Sequence, residues 1–418
     1  QSIDSRLDVL LENGKIAKTG THLAKSTKSK DAEKITKIVD LSGMILVPGL
    51  IDMHVHLREP GFEYKETIAS GAAAAVAGGF TSIACMPNTN PVNDNRSITE
   101  FIKRKANEAA LANVYPIGAI SRNSEGNQMT EFWDLKEAGI IALSDDGKPV
   151  MNSALMRRAM EYAYSLQLPI ISHCEDTNLS ADGLMNEGYY ATILGLNGIP
   201  SIAEEAMIAR DILIAEFTGT SVHIAHVSTA GSVRLIRDAK ARGIKVTAET
   251  APHYFTLTDE FLQDYDTNYK INPPLRSNDD VKAIKEGLAD GTIDVIACDH
   301  APHGRTDKEV EFEYAANGIS GLETSLGLSL NLVSGKILTW PELITRMSLN
   351  PARILNLPKG TLEAGADADI TVIDPQLKWT VDVQAFRSRG KNSPFNGRPM
   401  QGKAILTIVG GEIKYDGR

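Results

Sequence analysis

The sequence predicts an α/β chain in which eight strand and helix units close into a parallel (β/α)8 barrel, with a small β-sandwich domain assembled from its two ends. Three observations carry that expectation. Between about residue 44 and residue 355, short runs rich in Ile and Val alternate with longer amphipathic stretches, the pattern of buried parallel strands joined by helices. The two ends are β-rich without the alternation. Histidines stand at the ends of several central runs, which is where such a barrel gathers its functional groups.

Taken in order, residues 7–17 read as a hairpin about Asn13-Gly14, because Asn-Gly suits the two positive-φ positions of a tight turn. The lysine-rich stretch 18–37 reads as a solvated loop. The first barrel strand belongs to the apolar run 44–51, and further strands are expected at 80–84, 113–117, 139–143, 168–172, 221–225, 244–247 and 293–298. Helical stretches between them include 66–78, 153–167 and 203–217. The units suit a closed TIM barrel better than an open doubly wound sheet, because the Gly-x-Gly-x-x-Gly turn after a first strand is absent. Residues 370–373 and 404–409, the latter followed by Gly410-Gly411, supply the C-terminal strands. The expected domains are therefore 1–47 with 359–418 for the β-sandwich and 48–358 for the barrel.

The 418 residues are 42% hydrophobic and 23% charged, ordinary for a globular protein. No apolar stretch reaches the roughly 20 residues of a membrane helix, so a soluble chain is expected. A net charge of −10 argues against general nucleic-acid affinity, which needs a basic footprint. Three scattered cysteines, Cys85, Cys174 and Cys298, do not make a disulfide framework and point to a reducing, cytoplasmic setting. Their expected role is that of small apolar residues, with Cys174, beside His173, also weighed as a metal ligand. The first residues have neither a positive leader nor an apolar core, and the chain lacks an initiating Met, so it is read as starting inside the encoded protein.

The chemistry begins with His54 and His56. Side chains two apart on a strand project from one face, so this pair can share a metal ion. His173 and His226 also end apolar runs and complete a candidate set for one or two ions. Such a site keeps a position for water and lowers its pKa. A carboxylate must then pass the proton to a leaving nitrogen, and Asp299 at the end of the last strand is the candidate. His223 lies on the opposite strand face from His226, and His253 and His300 read as supporting residues. His22 reads as surface.

Six segments go further: 48–61 (PGLIDMHVHLREPG), 86–91 (MPNTNP), 144–147 (SDDG), 173–176 (HCED), 272–276 (NPPLR) and 299–303 (DHAPH). With them the chain resembles, over essentially its full length, the dihydroorotases of the amidohydrolase superfamily. The resemblance implies zinc, one or two ions, with His54, His56 and Asp299 at a first position and His173 and His226 at a second. Many relatives bridge the two with a carboxylated lysine on the fourth strand, but residues 139–144 contain no lysine. The bacterial class I subgroup that this chain resembles uses an aspartate, for which Asp146 is the first choice and Asp145 the second.

The implied reaction is the reversible interconversion of N-carbamoyl-L-aspartate and L-dihydroorotate in pyrimidine biosynthesis. Arg58 would grip the substrate carboxylate through paired N–H groups, Asn88 and His303 would add donors, and Asn272 would read the ring. Asp299 would carry the proton between water and ring nitrogen. The resemblance also admits a homodimer and association with aspartate transcarbamoylase. Allantoinases and dihydropyrimidinases or hydantoinases share the barrel and the His-x-His pair but need no carboxylate clamp, so Arg58 with Asn88 discriminates against them. A silent scaffold for aspartate transcarbamoylase would typically have lost metal ligands, whereas every expected position is filled here. The charged loop 303–318 is placed to fold over the site.

Overall fold

The computed structural model of the protein describes residues 5–23 and 37–418, so most of the lysine-rich stretch 18–37 lies outside the described residues. The barrel is built from two parallel ladders. Leu50–Val55, Phe80–Cys85 and Asn113–Pro116 form one; Ile171–Ser172, Val222–Ile224, Val246–Thr250 and Val295–Ile296 form the other. The ladders meet at Leu143, bridged on one side to Gly118 and on the other to Ile170, and close where Val55 bridges His300. These contacts give eight parallel segments in sequence order.

The fourth segment, expected over 139–143, is narrower than a regular strand. Its neighbours present Pro116 and Pro169 to it: Ile141 donates to Pro116 O at 3.1 Å and Leu143 to Pro169 O at 3.0 Å. Neither proline can return an N–H, so the ladder is thinned on both sides. The barrel interior is filled by Met53, Ala84, Ile117, Ala142, Ala225 and Val295, so it is a packed core and the chemistry is confined to one end.

Helices cover the outside. Ile68–Ala77 starts at Thr67, whose hydroxyl accepts from Ser70 N at 3.1 Å, and Ser153–Ser165 starts at Asn152, which accepts from Ala154 N and Leu155 N. These caps set the observed starts within the expected stretches. Ile202–Thr218 is the third expected helix. Among the described residues no helix is long and apolar enough to cross a membrane.

The two ends of the chain form the small β-domain. Its antiparallel sheet runs Glu412–Asp416, Pro399–Val409, Ile370–Thr380, Ile45–Pro48. The hairpin Asp8–Glu12 and Lys15–Gly20 turns at Asn13 and Gly14, with φ of +50° and +76°, and packs Val9 and Leu11 against Ile370, Val372, Leu406 and Ile408 of the sheet. The apolar run 44–51 divides at Gly49. Up to Pro48 it pairs with Ile370–Thr380, and from Leu50 it enters the barrel. A Cβ at Gly49 would collide with the side chain of Thr81. Thr371 and Thr407 then fasten the sheet to the barrel by donating to Gly79 O at 2.6 Å and Val76 O at 2.7 Å.

Candidate active site

His54 and His56 sit at and just beyond the end of the first barrel strand, buried at 0% and 5% exposure. Asp146 follows the fourth segment, His173 the fifth strand, His226 the sixth and Asp299 the eighth, so one end of the barrel collects all six. Asp146 lies at the centre of the group. Its Oδ1 stands 3.4 Å from His54 Nε2, 3.4 Å from His226 Nε2 and 3.6 Å from His173 Nδ1, and its Oδ2 stands 3.5 Å from His56 Nε2. Asp299 Oδ1 is 3.1 Å from His56 Nε2 and 3.7 Å from His54 Nε2.

These separations can be compared with what a metal requires. Zinc bonds of ~2.0–2.1 Å in tetrahedral array set donor atoms roughly 3.3–3.4 Å apart. His54, Asp146 and His226 form one trio of suitable donors and His54, His56 and Asp299 another. His54 Nε2 and Asp146 Oδ1 are buried without a hydrogen-bond partner, a costly state that a cation between them would relieve. The donor set of imidazoles and carboxylates fits a divalent metal ion.

Three of the four rings are held from behind so that one nitrogen faces the centre. His54 Nδ1 meets Glu249 Oε1 at 2.5 Å, His56 Nδ1 meets Asn88 Oδ1 at 2.9 Å, and His173 Nε2 meets Glu175 Oε2 at 3.0 Å. Arg58, His226 and Asp299 adopt left-handed backbone conformations, with φ of +60°, +33° and +47°. Such strain in non-glycine residues persists where the surroundings over-determine it, and it gathers at functional sites.

Electrostatics follow the geometry. Burial would push the Asp146 carboxyl up, but His54, His173 and His226 together hold it well below the usual carboxylate range. Burial would likewise depress His173, yet Asp146 and Glu175 raise it to about 10. A divalent cation can take the place of the protons these rings would otherwise hold, since metal binding displaces protons from its ligands.

The residues expected to touch substrate lie beside this cluster. Arg58 donates through Nε to Pro302 O at 3.2 Å, with Nη2 3.4 Å from His303 Nε2. His303 Nε2 meets Asn317 O at 2.8 Å, and His303 Nδ1 is 3.2 Å from Lys65 Nζ. Burial, then Arg58 and Lys65, push the His303 ring down to about 2, so it is neutral. Asn272 donates through Nδ2 to Glu175 Oε2 at 2.8 Å. The loop 303–318 is tied down by Lys308, which is buried and donates to Ala316 O at 2.7 Å.

Residues 43–232 match the dihydro-orotase-like family model and residues 189–415 the model described as amidohydrolase family. The chain is 64% identical over 415 residues to the dihydroorotase of Syntrophus aciditrophicus (strain SB), covering 99% of this chain and 96% of that one. The chain belongs to the dihydroorotase family. A further dihydroorotase, from Pelotomaculum thermopropionicum, is 59% identical over 412 residues, with 98% of this chain and 94% of that one covered. Among solved structures the L-hydantoinase (dihydropyrimidinase) of Arthrobacter aurescens superposes with a TM-score of 0.86 at 26% identity, covering 99% of this chain and 93% of that one.

Within this dihydroorotase-family chain, several sequence expectations are now located. Asp145 points away from the centre and accepts from Ser121 N at 3.0 Å and from the Ser121 hydroxyl, leaving Asp146 as the aspartate among the histidines. Cys174 is buried with its Sγ 3.5 Å from Ser172 Oγ. His300 pairs with Glu66 at 3.2 Å, His223 with Glu249 at 3.3 Å, and the His253 ring packs on Tyr254 with centroids 4.2 Å apart. His22 is exposed. Sequence reasoning missed Glu249, Glu175 and Lys65. For Glu175 a signal existed, since it sits two residues after His173 in the quoted segment.

Proposed function

We propose that this dihydroorotase-family protein uses bound zinc, one or two ions, to interconvert N-carbamoyl-L-aspartate and L-dihydroorotate, the dihydroorotase step of pyrimidine biosynthesis. The observation that carries the reading is the convergence of His54, His56, His173, His226, Asp146 and Asp299 on one point beside Arg58. The four imidazoles and Asp146 would hold the metal, with Asp299 at the edge of the set. When bound, zinc supplies a Lewis acid for the ring carbonyl and lowers the pKa of a nearby water.

The remaining steps fall to the chain. Arg58 binds the substrate carboxylate, with Asn88 as a further donor, and so orients the ring; the neutral His303 can add its one N–H only by releasing Asn317 O, 2.8 Å from its Nε2. Asn272, held by Glu175, reads the ring's polar edge. The side chain of Asp299 is 12% exposed against 4% for Asp146, which suits Asp299 to meet the incoming water. It takes the water's proton and delivers it to the departing ring nitrogen, and ring closure runs the same path backwards.

In this reading the small domain comprises 1–47 with 359–418 and the barrel 48–358. Three buried free cysteines support a cytoplasmic setting. A homodimer and association with aspartate transcarbamoylase belong to the same reading, and size-exclusion chromatography with and without that enzyme tests both. The primary experiment is L-dihydroorotate ring opening by the purified protein with zinc measured on the same sample. Turnover that chelation abolishes and zinc restores supports the proposal. A filled metal site without turnover overturns it in favour of another cyclic amide.

A further inference from the structure

Glu249 presents a problem that the proposed reaction does not solve. It lies on the seventh barrel strand, Val246–Thr250, and is 1% exposed. A carboxylate so placed is costly unless it is paired. Its two oxygens meet two imidazoles: Oε1 is 2.5 Å from His54 Nδ1, and Oε2 is 3.3 Å from His223 Nε2. His223 is itself 1% exposed, and its Nδ1 stands 2.8 Å from the Thr247 hydroxyl. A chain of polar contacts therefore runs from Thr247 through His223 and Glu249 to His54, a residue of both candidate metal trios.

The direction of this chain is set by elementary hydrogen bonding. A carboxylate accepts only, so the His54 nitrogen facing it must carry a hydrogen, and in the neutral, metal-binding form of the ring the other nitrogen offers its lone pair. That other nitrogen, Nε2, is the one 3.4 Å from Asp146. On the far side, the Thr247 hydroxyl can donate to His223 Nδ1, which puts the ring hydrogen on Nε2, 3.3 Å from Glu249 Oε2; this is a charge contact without hydrogen-bond geometry, since both atoms are buried without a hydrogen-bond partner. The tautomer of His54 is thus set by its carboxylate neighbour, and His223 presents its ring to the other oxygen of the same carboxylate.

We infer that Glu249 is a positioning residue for the metal centre, fixing the tautomer and orientation of His54, and that His223 holds Glu249 in place for this task. The inference rests on the metal centre proposed above. It accounts for two histidines and a carboxylate inside the barrel by one function. A bound divalent cation would balance part of the negative charge that Glu249 adds, and the carboxylate would in turn make His54 a stronger donor.

The test is zinc affinity, measured by competition with a chromophoric chelator on the full-length protein. Glu249→Gln keeps the shape and one acceptor but removes the charge, and should bind zinc about 10–100-fold more weakly than the unaltered protein. Its Co(II)-loaded form should show a shifted visible spectrum. His223→Gln retains the Glu249 carboxylate but removes the imidazole that supports it, and should weaken zinc binding in the same direction by a smaller factor, which keeps the test open if Glu249→Gln does not fold. A merely structural role would lower the melting temperature of the metal-free protein while leaving zinc affinity and the cobalt spectrum of the folded protein unchanged, and that result would overturn the inference. An unaltered protein that binds no zinc would instead remove the metal centre itself.

Discussion

Asn88 Oδ1 lies 2.9 Å from His56 Nδ1, so an asparagine expected to contact substrate also orients a ring of the metal cluster. The two duties separate by substitution. Asn88→Ala should lower kcat/KM for L-dihydroorotate by about 10–100-fold and also weaken zinc retention. Asn88→Asp keeps the acceptor for His56 but faces the substrate carboxylate with like charge, so zinc retention should persist while KM rises. Steady-state kinetics with zinc titration on both variants decides; equal loss of zinc from both would count against the dual role.

Arg58→Met removes the guanidinium while keeping an unbranched side chain. Loss of a charge-assisted contact worth about 1.5–3 kcal/mol corresponds to a fall of roughly 10–150-fold in kcat/KM for L-dihydroorotate. Turnover of dihydrouracil, which has no carboxylate, should not fall in parallel. Unchanged dihydroorotate kinetics would remove Arg58 from the substrate site.

Lys308 gives a pH-dependent signature away from the metal cluster. Burial, with Lys270 nearby, lowers its ammonium from an ordinary 10.5 to about 7. Between these values the unfolded chain holds a proton that the folded one does not, so stability must rise with pH across this window and be lost again as pH falls through 7. Lys308→Met should flatten that rise. Chemical denaturation at pH 7 and pH 9 on both proteins measures it, and parallel curves would contradict the assignment.

Gly49→Ala tests the crossing between the two domains. The added Cβ meets the Thr81 side chain, and overpacking of this kind costs about 1–3 kcal/mol. A second substitution, Thr81→Ala, should restore part of the loss. If Gly49→Ala melts like the unaltered protein, the crossing is looser than its geometry implies.

How much of this was legible beforehand varied by residue. The barrel could be read because Ile- and Val-rich runs buried on both faces leave a continuous apolar signal, and the two turns Asn13-Gly14 and Gly410-Gly411 announced the terminal hairpins. His54 and His56 stood out through their spacing of two. Asp145 and Asp146 could not be separated, because the choice depends on Ser121, 24 residues earlier. The expected domains divide the run 44–51 between 47 and 48, while the exact crossing at Gly49 was hidden, since both halves are apolar and only their distant partners differ. Glu249 escaped because the expected strand, 244–247, stopped short of it, and a glutamate at a strand end ordinarily reads as solvated. The useful signal would have been a lone acidic residue continuing a strand expected to be buried on both faces.

The pairing of the two ends of the chain has a consequence for how the protein is made. Lys15 contacts Asp367 across 352 residues of sequence, and among the described residues Ile45–Pro48 pairs with Ile370–Thr380. During synthesis the strand Ile45–Pro48 therefore leaves the ribosome long before its partner, and it waits until nearly the whole polypeptide has followed. Closing such a long loop comes late and slowly. The small sheet thus cannot assemble before Ile370–Thr380 has been made, and until then Ile45–Pro48 is an unpaired apolar segment that nascent chains can join in error.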